Sequence, residues 1–336
     1  MMPGEEGEAH DTGDRPGPMK FSFSPPGLTL FPPHRQEDWV RNMTGDQLLA
    51  IARRGDELGF EYLFVPWHIA VEQGVWADNM GARWPHSLAA SALLLGATRR
   101  LTVCPFVVLP CEPPIHLAKA IATMDWMSGG RCAPMLLTGY IKVEFDLLGA
   151  DFARRNEITD EYVEAMLALW TQEVAEFHGD HVGFSGVAFE PKPAQQPMPL
   201  WFGGKASSKR ALRRVAKWGS GWLSYASRHA EHPAAVAFIR SQPEYDPSRP
   251  LEIAAYFEEP THDPESHEET VAPDFVVGDD AVVERVHYLA SLGVTTTPAP
   301  LTAMDDGHGR PAPIRSLEEY LDRMTWFAEA IRPRLG

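Results

Sequence analysis

The amino-acid sequence predicts an α/β protein whose strands close into a (β/α)₈ TIM barrel with loop insertions. Short segments rich in β-branched and aromatic residues recur eight times along the 336 residues, and most are followed by a segment with the apolar spacing of a helix. This alternation requires parallel strands joined by right-handed crossovers, and eight such units are typical of a closed barrel. A doubly wound open sheet is the alternative, but the first predicted strand lacks the G-x-G-x-x-G turn that follows the first strand in such sheets.

Four strands and three helices are predicted in the first half of the chain. The first strand begins at Met19. In the helix that follows, Thr44 and Gln47 form a capping box and Gly59 ends the apolar periodicity. The remaining elements alternate in type: strand 60–68, helix 87–97, strand 101–109, helix 114–127 and strand 131–138.

The second half repeats this order. A helix with one apolar face is predicted from Ile158 to Trp170. Gly293 stands where a C-cap glycine belongs, and Ser316 with Glu319 forms a second capping box at the start of the last helix. The other predicted elements are strands 199–204, 219–225, 251–257 and 293–300, and helices 207–218, 232–240, 281–292 and 316–331.

The charge and hydropathy of the chain exclude two classes of partner. The net charge is −16, so the chain lacks the excess of Lys and Arg that binds a nucleic-acid backbone or an anionic membrane surface. The longest apolar run, SLAASALLLGA from Ser87, is far shorter than the roughly 20 residues that span a bilayer. We therefore expect a small-molecule substrate, no nucleic acid and no membrane.

Residues 1–18 are predicted to form a disordered acidic tail, and residues 19–336 a single domain. The tail is rich in Gly and Pro and lacks the basic start and apolar centre of a secretion signal. Three cysteines without a Cys-x-x-Cys pair argue against a disulfide framework and favour a reducing cytoplasm. The pairs His178/His181 and His229/His232 lack a convincing third ligand, so no metal site is predicted.

Two blocks of the sequence, 113–170 and 191–222, resemble the luciferase-like flavin and deazaflavin (F420) oxidoreductases, the superfamily of the bacterial luciferase-like monooxygenases. The matching residues of the first block are Ala118-Lys119, Ala122-Thr123, Ser128 to Arg131, Gly139, Glu144-Phe145 and Leu148-Gly149. Those of the second block are Pro191 to Pro193, Gly203-Gly204, Arg213-Arg214 and Gly221-Trp222. Together with C-terminal segments, the resemblance covers nearly everything from residue 20 to the end.

The resemblance implies a cofactor at the C-terminal face of the barrel. Members of the superfamily hold the cofactor phosphate where this chain has Gly203, Gly204, Lys205 and Ser207, at the start of a predicted helix. On the local sequence alone, the two glycines can equally form a tight turn that needs positive φ. The resemblance also suggests that Arg210, Arg213 and Arg214 help to hold the acidic tail of the deazaflavin.

Two further strand ends are expected at the cofactor. Many deazaflavin-binding relatives have a cis peptide bond behind the ring near Cys104 and Pro105, and Pro105 would make such a bond at low cost; an ordinary trans proline is the alternative. Thr138 and Gly139 follow the fourth strand and are expected to approach the cofactor.

The predicted catalytic residues are His68 and Tyr140. Relatives often place a His at the end of the second strand, where it can move a proton, although His68 could instead only stabilise the loop. Relatives commonly have Asp before this His, and Trp67 takes that position here, which leaves the orienting partner open. Tyr140 stands where the sugar-phosphate dehydrogenase branch has a carboxylate, so that activity is disfavoured; the ring could bind cofactor or substrate, or form a packing wall.

The substrate pocket is predicted to be apolar. The tryptophans Trp67, Trp76 and Trp84 lie in or beside the long loop after the second strand. The segment 258–275, after the seventh strand, is strongly acidic and is predicted to be a surface excursion that would repel an anionic substrate unless a cation such as Arg83 screens it.

These features favour an oxidoreductase that uses coenzyme F420 for hydride transfer to or from a small, largely apolar organic molecule. A monooxygenase that uses reduced FMN and O₂, with a separate flavin reductase, is the first alternative, and a noncatalytic flavin-binding barrel is the second. The protein could be a homodimer.

Overall fold

Eight parallel strands close into a barrel in the computed structural model of the protein, which describes residues 17–30, 36–74, 76–259 and 276–336. The strands of the described chain are β1 (Lys20–Phe23), β2 (Tyr62–Val65), β3 (Thr102–Val108), β4 (Met135–Leu137), β5 (Val174–His178), β6 (Gly183–Ala188), β7 (Leu200–Gly203), β8 (Gly219–Ser224), β9 (Glu252–Ala255) and β10 (Thr296–Pro298). Around the barrel their order is β1-β10-β9-β8-β7-β4-β3-β2. The predicted (β/α)₈ barrel is therefore confirmed, and the open sheet is excluded.

Helices connect these strands and cover the outside of the barrel. The α-helices of the described chain are α1 (Asp38–Arg41), α2 (Gly45–Glu57), α3 (Trp76–Met80), α4 (Ser87–Ala97), α5 (Pro114–Ser128), α6 (Lys142–Leu148), α7 (Arg155–Thr171), α8 (Lys209–Trp218), α9 (His232–Arg240), α10 (Asp279–Ser291) and α11 (Leu317–Trp326). All the predicted helices are present, whereas α1, α3 and α6 were not predicted because each is too short to show an apolar period.

The predicted helix ends are confirmed at three of four signals. Thr44 and Gln47 form a reciprocal capping box at α2, Gly59 has a φ of +75° after α2, and Gly293 has a φ of +83° after α10. At α11 the Ser316 hydroxyl accepts from the Glu319 N–H, but the Glu319 carboxylate accepts from the N–H of Arg315 instead of Ser316. The second capping box is therefore only half formed.

The antiparallel hairpin of β5 and β6 was not predicted. It lies between α7 and β7, outside the barrel, and most of its residues are exposed, so it has no apolar alternation to reveal it. A carboxylate on α7 fixes its turn: Glu161 accepts from the N–H groups of Asp180, His181 and Val182 at 3.0, 2.6 and 2.8 Å. Such a contact between distant residues cannot be recognised from spacing.

Aromatic and aliphatic side chains fill the middle of the barrel. The buried interior cluster consists of Phe64, Cys104, Ala133, Met135, Trp201, Leu223 and Ala254. A Cβ on Gly221 would lie 2.2 Å from the Trp201 ring, so this glycine makes room for the indole. Because the middle is packed, a ligand has to bind at an end of the barrel, and TIM barrels bind theirs at the C-terminal end of the strands.

The Ser-Gly-Gly-Arg turn, Ser128 to Arg131, lies at the opposite, N-terminal end of the barrel. Gly129 and Gly130 have φ values of +71° and +87°, which glycine adopts without strain. The Arg131 guanidinium donates to the carbonyl groups of Leu95, Thr98 and Leu101 at 2.9, 3.2 and 3.0 Å. The turn therefore fixes the end of α4 to the start of β3 and serves the fold.

Two predictions about the ends and excursions of the chain fall on residues that are not described. The predicted acidic tail, 1–18, lies outside the described residues except for Gly17 and Pro18, and the acidic segment 258–275 lies outside them from residue 260 onward. Within the described residues, no helix combines the length and the apolar character needed to cross a membrane.

Candidate active site

His68 lies beyond the end of β2, where a buried carboxylate contacts its ring. Its Nδ1 is 3.2 and 3.1 Å from the two carboxylate oxygens of Glu144, and Glu144 also accepts from the N–H of Ile69 at 2.7 Å. The side chain of Glu144 is only 2% exposed and that of His68 11%. Because this chain has Trp67 where relatives commonly have Asp, the sequence did not identify the residue that orients His68. The structure shows that Glu144 contacts the His68 ring.

Sequence reasoning gave Glu144 no role, although the Glu144-Phe145 pair was part of the family resemblance. The carboxylate is far from His68 in sequence and reaches it only because β4 and β2 flank β3 in the barrel. Its position five residues after Gly139, at the start of a short helix beyond a strand end, was the one available signal.

Four aromatic rings form a continuous row beside this pair, which we call the aromatic wall: Trp84, His68, Tyr140 and Trp76. The His68 ring centroid is 4.5 Å from that of Trp84 and 6.1 Å from that of Tyr140, both edge to face. Tyr140 and Trp76 are 5.7 Å apart. All four side chains are partly exposed. The structure therefore brings together both predicted catalytic residues and two of the three predicted pocket tryptophans.

Gly139 makes this arrangement possible. Its φ is +77°, and a Cβ there would lie 2.5 Å from Val108 Cγ1 and 2.8 Å from the Phe145 ring. No other residue fits the position, for conformational and steric reasons together. Gly139 thus lets the chain turn between the half-buried Thr138, at the end of β4, and Tyr140.

Trp67 packs into the protein instead of lining the site. It is 3% exposed and belongs to a buried cluster with Val108, Cys111 and Phe145, and its indole N–H donates to Glu112 at 3.2 Å. Burial, followed by the charges of nearby carboxylates, raises the pKa of Cys111 to about 12, so its thiol stays protonated. This placement assigns Trp67 to the support of the loop, not to the predicted pocket wall.

The strand segment with Cys104 and Pro105 lies deeper than predicted. Cys104 is fully buried in the barrel interior, and burial raises the pKa of its thiol well above the ordinary value. Pro105 is paired with Val65 of β2. The cis peptide bonds of the described chain are Glu190-Pro191 and Gln196-Pro197, so the Cys104-Pro105 bond is trans, which is the alternative that the sequence left open.

The two glycines at the end of β7 lie at sites of close packing. Neither Gly203 nor Gly204 has a positive φ, so the tight-turn explanation is wrong. A Cβ on Gly203 would lie 2.3 Å from Leu137, and one on Gly204 would lie 2.5 Å from Ala211 of α8. Gly203 is partly exposed beside the end of β4 and is therefore next to the Thr138–Tyr140 segment.

The loop between β7 and α8 offers side chains more than backbone groups to an anion. The N–H of Gly204 donates to Leu223 O at 3.1 Å, and that of Ala206 to the Ser227 hydroxyl at 2.8 Å. Lys205 is partly exposed and Ser207 is exposed. These two predicted residues stand just before the N-terminus of a ten-residue helix, a position that favours negative charge.

The arginines of α8 bind a neighbouring helix and not the site. Arg210 and Arg214 both form ion pairs with Asp160 of α7, and Arg214, which is buried, also donates to the carbonyl of Asn156 at 2.8 Å. The guanidinium of Arg213 lies over the Phe238 ring. The prediction that these three arginines hold a coenzyme tail is therefore not supported by their placement.

The histidine pairs serve other purposes. The ring of His178 contacts Glu176, and His229 and His232 are buried, with ring nitrogens 2.9 Å from the carbonyls of Tyr256 and His229. Burial lowers the pKa of both His229 and His232, so both are neutral near pH 7. Within the described ranges, no group of three or more His, Cys, Asp or Glu residues is placed to hold a metal ion.

Comparison with known proteins gives one consistent relationship. Residues 27–258 match the sequence model of the family described as luciferase-like monooxygenases. The chain is 32% identical over 212 residues to the FMNH₂-dependent dimethylsulfone monooxygenase of Pseudomonas putida; the match covers 61% of this chain and 55% of the relative. The chain thus spans about half the length of that relative.

Two solved structures share the fold. A monooxygenase from Streptomyces bottropensis superposes with a TM-score of 0.70 at 17% identity, over 95% of this chain and 100% of its own. An F420-dependent secondary alcohol dehydrogenase, in complex with an F420–acetone adduct, superposes with a TM-score of 0.66 at 16% identity, again over 95% of this chain and 100% of its own. The same barrel therefore occurs in a monooxygenase and in an F420-dependent dehydrogenase.

Proposed function

The chain belongs to the luciferase-like monooxygenase family, and from this premise we propose that it is a flavin-dependent monooxygenase that uses reduced FMN and dioxygen to oxidise a small, largely apolar organic molecule. The observation that carries the proposal is the His68–Glu144 pair, set in the aromatic wall at the open end of the barrel. A flavin-binding protein without catalysis would not need a buried carboxylate that holds a partly exposed imidazole.

The described residues suit a flavin at this end of the barrel. Lys205 and Ser207 would hold the phosphate before the N-terminus of α8. The bound reduced flavin supplies the electrons that activate dioxygen. His68 accepts or returns a proton at Nε2, and the aromatic wall excludes water from the reacting groups.

The cofactor choice rests on the relatives and on the arginines of α8. The relative that is 32% identical to this chain is FMNH₂-dependent. Coenzyme F420 is the second candidate, favoured by the resemblance of Thr138-Gly139-Tyr140 and the following Glu144 to the deazaflavin-associated subgroup. The ion pairs of Arg210 and Arg214 with Asp160 already engage these two cations, which supports our proposal of reduced FMN over coenzyme F420.

Titration of the purified protein with FMN and F420, each oxidised and reduced, tests this choice. We expect reduced FMN to bind most tightly, and the Lys205→Met variant to bind FMN about tenfold more weakly, since one charge-assisted contact to phosphate is lost. Riboflavin, which has no phosphate, should bind the wild type and Lys205→Met with equal affinity. Lys209→Met is the matched control, because Lys209 lies over the Phe238 ring. Tight F420 binding without FMN binding contradicts the proposal.

Two partners belong to the same proposal. A separate flavin reductase has to supply the reduced FMN.

The proposed location is a reducing cytoplasm. The three cysteines, Cys104, Cys111 and Cys132, are unpaired and buried, which suits such a compartment.

A second copy of the chain is the other proposed partner, bound through α4. This helix has no charged residue, and its exposed residues form one stripe: Ala89, Ala92, Leu93 and Gly96. Two chains of net charge −16 can therefore meet there without repulsion between like charges. We expect light scattering to report a dimer for the wild type and a monomer for Leu93→Lys. Val174→Lys, at a similarly exposed apolar residue of β5, should stay dimeric. A monomeric wild type contradicts the interface.

A further inference from the structure

The buried carboxylate of Glu144 has a more specific task than neutralising charge. We infer that Glu144 is a positioning residue that holds the imidazole of His68 with its proton on Nδ1, so that Nε2 is the proton acceptor in the reaction. The inference rests on the proposed function for its catalytic half, whereas the position of the proton can be measured on the ligand-free protein.

The hydrogen-bond inventory around Glu144 sets the position of the proton. A carboxylate has only acceptors, and both oxygens lie within 3.2 Å of His68 Nδ1. The oxygen Oε1 also accepts from the Ile69 N–H at 2.7 Å. Nδ1 must therefore be the donor, since two acceptors at this distance would repel each other. A neutral imidazole that donates from Nδ1 has its acceptor at Nε2.

The surroundings of the carboxylate strengthen this assignment. Glu144 is 2% exposed, so its oxygens have little access to water and depend on the two N–H donors of the β2 loop. One carboxylate thereby fixes two successive residues, the ring of His68 and the backbone of Ile69. The edge-to-face contacts with Trp84 and Tyr140 hold the same ring from its other sides.

Substitution of Glu144 by glutamine tests the inference, because it replaces one acceptor oxygen by a donor NH₂ group. The Ile69 N–H needs an acceptor and selects the amide oxygen of the glutamine, because the amide nitrogen would present a hydrogen to it. The amide NH₂ then faces His68 and donates to Nδ1, which must become the acceptor. Glu144→Gln should therefore move the imidazole proton from Nδ1 to Nε2 without changing the shape of the side chain.

Nuclear magnetic resonance of ¹⁵N-histidine-labelled protein measures this directly. Long-range ¹H–¹⁵N spectra distinguish protonated from unprotonated ring nitrogens, and the His68 signals are those absent from a His68→Gln sample. We expect the proton on Nδ1 in the wild type and on Nε2 in Glu144→Gln. The matched control is Glu112→Gln, which alters a neighbouring carboxylate that contacts Trp67 and not His68, and should keep the wild-type pattern. A wild-type proton on Nε2, or the same tautomer in Glu144→Gln, overturns the inference, and the wild-type spectrum alone decides it should the variant not fold.

Turnover then tests the catalytic half. We expect Glu144→Gln to lower kcat about 100-fold, the low end of what a positioned acid–base residue contributes, with KM changed less than kcat. An inverted tautomer with unchanged kcat overturns the catalytic role of the positioning. Failure of the proposed function is distinguishable, because the wild type itself would then show no turnover while the tautomer result stands.

Discussion

Replacement of His68 by alanine is expected to lower turnover by about 100-fold to 10,000-fold, the range that a positioned acid–base side chain contributes. The imidazole is a partly exposed proton-transfer group in the aromatic wall, and Glu144 holds it in one orientation. Because the change removes a group that acts on the reacting atoms, kcat should fall much more than the affinity for the cofactor. Steady-state turnover and a cofactor titration on the same sample measure the two effects separately.

Two further variants control this result. His178→Ala alters an exposed histidine that contacts only Glu176 in the described structure, and should leave turnover within about twofold of the wild type. Tyr140→Phe keeps the ring beside His68 and removes only the hydroxyl. A small effect of Tyr140→Phe assigns the ring to a packing wall, whereas a large one assigns the hydroxyl to substrate or cofactor. Unchanged turnover in His68→Ala would show that the pair serves only the loop.

The barrel could be predicted because its signals are local. The alternation of short β-rich segments with helical segments can be recognised from residues that are close in sequence. Helix ends such as the capping box of Thr44 and Gln47 depend on side chains three positions apart. The hairpin of β5 and β6 lacks such a signal, because its strands are exposed and its turn is held by Glu161 from α7. Elements whose stability comes from a distant side chain are the ones that spacing misses.

The candidate site shows the same division. His68 and Tyr140 were predicted from strand ends and the family resemblance, and Trp76 and Trp84 from the long loop after the second strand. The fold brings all four into one row. Glu144 could not be given its role, because its approach to His68 depends on how three strands and a short helix pack.

Two further expectations were misled for the same reason. The glycines at the end of β7 suggested positive φ, but neither has it, and a Cβ on them would meet Leu137 and Ala211. The arginines of α8 suggested a site for an acidic coenzyme tail, but Arg210 and Arg214 meet Asp160 of α7. In both cases the residue type was informative and its partner was not visible in the sequence.

The largest expected effect on stability comes from Asp56, near the end of α2. Its carboxylate is nearly buried and accepts from the N–H groups of Arg99, Arg100 and Leu101 at 2.9, 2.7 and 2.7 Å, which fixes α2 to the start of β3. Asp56→Ala should lower the free energy of unfolding by about 3 kcal/mol, since three backbone donors lose their acceptor. Urea denaturation measures it, and Glu57→Ala, whose side chain is 66% exposed, should cost less than about 0.5 kcal/mol.

The pH dependence of this difference distinguishes the charged hydrogen bonds from lost packing. Burial alone would raise the pKa of Asp56, but the three N–H donors and the charge of Arg100 outweigh it and lower the pKa below the ordinary 3.8. A carboxylate with a lowered folded pKa stabilises the protein fully above its unfolded pKa and loses that contribution as the pH falls through the folded value. The wild type should therefore exceed Asp56→Ala by the full amount at about pH 7, and by progressively less as the pH drops below about 4. A difference that stays constant down to acid unfolding would mean that Asp56 acts through its volume, and its charge would then have no part in joining α2 to β3.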